Sequence, residues 1–136
     1  MNEGLSIVAL YAGLNALILV ALTVNIGPRR MGQKALNPGD TGNAQLTSAI
    51  RAHANFTEYA PIVLVLLLCL ALTNTAALPL HILGATFTFA RISHGIGMMQ
   101  PKHPNPLRFL GATLTVLVLL SAGALCLLRF YETLSP

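Results

Sequence analysis

The sequence predicts an all-α fold, a transmembrane four-helix bundle, and three observations carry that prediction. Of 136 residues, 54% are hydrophobic and only 9% charged, with a mean hydropathy of +0.69, far from the balance of a soluble domain. Apolar runs of the about 20 residues needed to cross the hydrocarbon core recur at about 5–26, 44–73, 78–99 and 107–130. The breaks between them are short and rich in turn residues, so the whole chain, 1–136, is expected to form one membrane domain.

The first span is apolar apart from Asn15 and Asn25, and Gly27-Pro28 is expected to end it, since that pair rarely continues a helix. The residues before it lack a basic n-region and no small-residue cleavage site follows, which favours a retained span over a signal peptide. Arg29, Arg30 and Lys34 follow, then the turn signal Asn37-Pro38-Gly39-Asp40, with Thr41 or Asn43 as candidate cap of the second helix.

The second helix is amphipathic up to Tyr59 and aliphatic from Ile62 to Leu72. Pro61 lies inside it and removes the amide that would bond the Thr57 carbonyl, predicting a kink. Thr73-Asn74-Thr75 turns the chain without a charge, and Pro79 suits the first turn of the third helix. Gln100-Pro101-Lys102-His103-Pro104-Asn105-Pro106 then breaks the chain before the fourth.

Charge placement sets orientation. The net charge of +4 comes mostly from Arg29, Arg30, Lys34, Lys102 and Arg108 around the first and third connections, against Arg129 opposite. By the positive-inside rule, loops 27–43 and 100–106 face the cytoplasm and both termini face away. This distribution orients a membrane protein and forms no nucleic-acid-binding stripe. Cys69 and Cys126 lie in apolar runs without metal or redox spacing and are expected to be small buried hydrophobes; no metal site is expected.

Three charges fall well inside helical segments: Arg51 and Glu58 on the second, Arg91 on the third. Each costs about 2.5–3.5 kcal/mol even on the gentler insertion scales, so each calls for a partner and marks a candidate site. At about 100° per residue, with Arg51 at zero, Asn55 falls near 40°, Glu58 near −20° and Tyr59 near 80°, one shared face. On the third helix His94 and Met98 lie on the side of Arg91, with Gly84 and Gly95. The rise from Asn43 to Arg51 and from Met99 to Arg91 is about 12 Å in each case, which places the two arginines at one depth. Two cations there with one carboxylate leave room for a bound anion. A plainer reading makes Arg51 and Glu58 an intrahelical brace, with Arg91 snorkelling to the headgroups. Asn15, Thr86 and Thr88 read as interhelical hydrogen-bonding residues.

Arg51-Ala52-His53-Ala54-Asn55-Phe56-Thr57-Glu58-Tyr59-Ala60-Pro61 resembles the signature of the membrane-associated proteins in eicosanoid and glutathione metabolism, the MAPEG family, and Ala90-Arg91-Ile92-Ser93-His94 resembles its third-helix signature. The four-span layout and Arg29-Arg30 after the first span fit the same family. The resemblance implies a homotrimer binding glutathione between subunits. Arg51, Asn55, Glu58, Tyr59, Arg91 and His94 would contact this co-substrate, and Arg108 and Arg30 are candidates to stabilise its thiolate. The implied activity is that of a glutathione transferase or peroxidase acting on hydrophobic molecules from the membrane lipid. The alternative is a non-catalytic lipid-binding or scaffold protein, and a third reading is an ion or proton pathway through Arg51, Glu58 and His94. The sequence departs from the family at Met98, where the mammalian transferases commonly carry a tyrosine, and at His94, which corresponds to a tyrosine in the leukotriene branch.

Overall fold

In the computed structural model, residues 3–32, 43–100 and 104–134 are described; the 37–40 turn signal, Lys34, Thr41 and Lys102 lie outside them. The described residues form four helices, α1 (Glu3–Gly32), α2 (Ala44–Leu72), α3 (Ala77–Met99) and α4 (Pro106–Leu134). Asn43 caps α2, its side chain accepting from the amides of Gln45 at 3.0 Å and Leu46 at 3.2 Å. Asn74, at φ 56°, takes the left-handed position of the tight α2–α3 turn. Pro79 falls in the first turn of α3, where its missing amide costs nothing.

One boundary differs from expectation. Helix α1 runs through Gly27-Pro28 to Gly32. Proline deprives the Val24 carbonyl of its donor, but this is the end of the helix, where water reaches the backbone. One residue on, the Arg29 guanidinium folds back to donate to the Asn25 carbonyl at 2.7 Å. Residues 27–32 are therefore helix, and the first connection is shorter than the sequence implied.

Helices α1, α2 and α4 are each long and apolar enough to cross a membrane. At 23 residues, α3 also has the length, about 34 Å; His81, Arg91 and His94 lower its hydropathy. Helices α2 and α3 form the centre, α1 and α4 pack on them from the flanks, and among the described residues α1 and α4 do not touch. The outward surface is a coat of large aliphatic and aromatic residues such as Leu17, Val24, Leu120 and Leu127, while Asn15, Thr88, Arg91, His94 and Thr115 lie inside. That inversion is what lipid as solvent selects: apolar groups gain nothing by hiding, and polar groups must find partners within the chain.

The two cysteines follow the same logic and correct the expectation of burial. Cys69 is exposed and Cys126 half-buried, neither in a disulfide; facing lipid, a thiol has no need of the interior.

Glycine brings α3 and α4 together. A Cβ on Gly111 would lie 2.5 Å from the Ala90 carbonyl oxygen and 2.6 Å from the His94 nitrogen, and one on Gly97 would overlap the Arg108 backbone. The two backbones touch at two levels because those side chains are absent.

Candidate functional site

The site is organised by Arg91, which is 2% exposed at the middle of the bundle. Its Nη1 donates to Asn55 Oδ1 on α2 at 2.9 Å. Its Nη2 donates to the Gly111 carbonyl on α4 at 3.3 Å and also to Thr115 Oγ1. The guanidinium lies 5.6 Å from the centre of the Tyr59 ring and 5.7 Å from that of Phe87, close enough for cation–π attraction. Nε is buried without a partner among the described residues. Thr115 can accept because its own proton goes to the Gly111 carbonyl at 2.8 Å. Helix α3 thus supplies a charge that α2 and α4 solvate, and snorkelling is ruled out for Arg91.

The predicted face of α2 is divided in two. Asn55 and Tyr59, at about 40° and 80°, turn toward Arg91 and are half-buried. Arg51 and Glu58, near 0° and −20°, turn outward and are exposed, with no hydrogen bond or ion pair to another described residue. The brace between them is absent: the ion pair found among the described residues is Arg129–Glu132, 2.8 Å apart at the opposite end. Seven residues of helix separate Arg51 and Glu58 by about 10 Å, too far for a bridge. So the two arginines do not face one cavity within this chain, as the sequence had suggested. One is built into the bundle and the other presented from it.

His94 is buried, 7% exposed, one turn from Arg91 and backed by Gly111. Arg91 and Arg108 both lie within electrostatic reach of it, giving this end of α3 a positive field. Arg108 is exposed in the first turn of α4. Its position is set by Asn105, whose Oδ1 accepts from the Leu107 amide at 3.0 Å and the Arg108 amide at 3.3 Å, while Nδ2 donates to Gln100 across the connection. Arg30 is half-buried in the last turn of α1. Between the ends of α1, α2 and α3 is a cavity of about 290 Å³ bordered by Arg29, Gln45, Ser48, Met98 and Gln100. Arg91 also borders a more apolar cavity of about 250 Å³ against α1, with Leu22, Asn25, Gly95 and Met99.

Sequence reasoning missed Gly111 and Thr115. The signal was present in α4, whose buried residues are Gly111, Thr115, Val118 and Ala122. That 4-3-4 spacing of small and hydroxyl residues marks a packing stripe.

The sequence profile of the MAPEG family matches residues 8–128. The chain belongs to the MAPEG family. It is also similar to inner membrane protein YecN of Escherichia coli strain K12, 38% identical over 89 residues, which are 65% of this chain and 67% of that protein. The YecN of Escherichia coli O6:H1 matches to the same extent. Membership accounts for the four-helix fold and makes this chain an integral membrane protein of that family.

Proposed function

We propose that this MAPEG protein is a membrane-bound glutathione transferase or peroxidase acting on hydrophobic electrophiles or lipid hydroperoxides. The observation that carries the reading is the outward pair Arg51 and Glu58, unpartnered among the described residues, one helical turn from the Asn55–Arg91 bond. Glutathione has two carboxylates and one ammonium. Arg51 would bind a carboxylate with its forked donors, Glu58 would take the ammonium, and Asn55 would meet a peptide group. Tyr59, Arg91 and His94 would form the wall behind them.

Because Arg51 and Glu58 point out of their own bundle, a neighbouring subunit would close the site, consistent with the trimer the family resemblance implies. The basic ends of the helices would face the cytoplasm and both termini away from it. A thiol titrates near 8.5, so a nearby cation is needed to populate the thiolate at neutral pH. Arg108, exposed at the mouth of α4, is the first candidate, and Arg30 the second. The thiolate sulfur would then bond to the electrophilic carbon of a lipid-soluble molecule and displace its leaving group. With a hydroperoxide, two thiols would give the disulfide, an alcohol and water.

Thermal unfolding of the detergent-solubilised protein with millimolar glutathione, and separately with an S-alkyl glutathione, tests this. An upward shift with both, lost in Arg51→Ala, is expected. A second reading, a non-catalytic lipid-binding scaffold, draws on Met98, which is buried where the transferases commonly carry tyrosine. It would be favoured by stabilisation with lipid and none with either thiol compound.

A further inference from the structure

At the end of the bundle away from Arg91, α2 and α4 enclose a cavity of about 210 Å³ bordered by Cys69 and Thr73 on α2 and by Cys126, Arg129, Phe130 and Thr133 on α4. It lies about 21 Å along α2 from Asn55, clear of the proposed thiol site. The two cysteines are far apart in the chain and follow no motif spacing, yet they open onto one space. Cys126 is the inner of the two, half-buried, and continues the packing stripe of α4 one turn beyond Ala122. Its Sγ donates to the Leu66 carbonyl at 3.7 Å. In a helix that carbonyl points toward the next turn, which holds Cys69, and Cys69 lies within electrostatic reach of Cys126. Cys69 itself is exposed, as is Phe130, so the cavity opens to lipid.

The other polar groups there have narrow roles. The Thr73 hydroxyl is committed to the Cys69 and Leu70 carbonyls at 3.0 and 3.1 Å, and the Thr133 hydroxyl to the Phe130 carbonyl at 2.6 Å, so neither donates into the cavity. Arg129 supplies a cation at the rim, held by Thr75, which accepts from its Nε at 3.3 Å, and by Glu132 at 2.8 Å. Two thiols and a guanidinium thus border an apolar space open to the bilayer.

We infer that Cys69 and Cys126 are a redox pair, which a membrane-borne alkyl hydroperoxide oxidises to a disulfide joining α2 to α4. The Cys69 sulfur bonds the terminal peroxide oxygen and the O–O bond breaks. The alkoxide leaves beside Arg129 and takes the Cys69 proton to become an alcohol. The Cys126 sulfur then bonds that of Cys69 and displaces hydroxide, which leaves with the Cys126 proton as water. Two thiols and one hydroperoxide give one disulfide, one alcohol and one water. Closure needs the two Cα atoms about 4.4–6.8 Å apart, a separation open to helices packed in contact, as α2 and α4 are. Cys69 also lies about five turns from Arg51 on one stripe of α2, the stripe proposed to face a neighbouring subunit, so a bond between two Cys69 residues is the competing outcome.

The test uses the detergent-solubilised protein without glutathione, so its failure leaves the proposed transferase reading standing. After one equivalent of dodecyl hydroperoxide, maleimide labelling of the denatured chain should count two thiols fewer, and the intact mass should fall by two hydrogens. The chain should still run as a monomer on a non-reducing denaturing gel, and one dodecanol should appear per chain. Oxidation should outpace that of dodecanethiol in the same micelles by on the order of tenfold, and be unchanged in Arg51→Ala. Cys126→Ala should stop at a Cys69 sulfenic acid, one oxygen heavier and captured by dimedone, while Cys69→Ala should leave the hydroperoxide unconsumed. Cys126→Ser, whose hydroxyl can still donate to the Leu66 carbonyl, covers the case in which alanine weakens the fold. Thiols that stay free, oxidation no faster than that of dodecanethiol, or a disulfide found only between two chains would overturn the inference.

Discussion

Arg91 and Arg51 are both arginines within membrane helices, at depths the sequence makes equal, yet the structure treats them in opposite ways. Arg91 is held by Asn55, Gly111 and Thr115 from two other helices and covered by Tyr59 and Phe87. Arg51 is exposed and has no such partner among the described residues. The first charge has been absorbed into the architecture, while the second stands on the outer surface of the bundle. An intramembrane charge is therefore not one kind of signal: a charge already paired contributes to folding, and one left bare points outside the chain.

That contrast can be broken most directly at Arg91. Arg91→Leu would leave Asn55 Oδ1, the Gly111 carbonyl and Thr115 Oγ1 without their donor, and a loss of about 3–5 kcal/mol in stability is expected, since each buried acceptor left unpaired costs about 1–3 kcal/mol. Unfolding in mild detergent would measure it, and a variant as stable as the parent would refute the structural role. Next is Gly111→Val, which forces α3 and α4 apart and should cost about 1–3 kcal/mol. If melting is unchanged, the close approach is not what holds the pair. Thr115→Val removes one acceptor of a charged donor and should cost about 1–3 kcal/mol; an additive effect in the Arg91→Leu background would show the two act independently. Arg51→Ala sharpens the contrast from the other side: ligand-free stability should move by less than about 1 kcal/mol, while the glutathione-dependent shift disappears. The smallest effect belongs to Glu132→Gln, where loss of the exposed pair with Arg129 should cost about 0.5 kcal/mol or less and become undetectable at high salt.

Much of this was legible in the sequence because lipid simplifies the code. Four apolar runs with Asn43 and Pro79 at helix starts predict four helices within a few residues; of Asn15, Thr86 and Thr88, all read as interhelical hydrogen-bonding residues, Asn15 and Thr88 bond each other, while Thr86 is half-buried with no hydrogen bond to another helix among the described residues. Gly27-Pro28 misled because a helix breaker at a membrane surface has water, and here Arg29, to satisfy what it frees. The face of α2 was legible to within one turn, but a wheel cannot say where the neighbouring helices lie. A rotation of about 80° decides whether Arg51 or Tyr59 faces inward, and that is fixed by α3 and α4. The cysteines misled because burial in this chain does not follow hydrophobicity.

Arg91 is made before the groups that solvate it. Its carbonyl and hydroxyl acceptors, Gly111 and Thr115, come 20 and 24 residues later in the chain. At about 5–20 residues per second, a ribosome takes about one to five seconds to supply them. During that interval α3 carries an arginine with only Asn55 to meet it, in a helix whose hydropathy already falls short of its neighbours'. Partition of α3 into the bilayer is therefore expected to be more favourable once α4 has been made than before it.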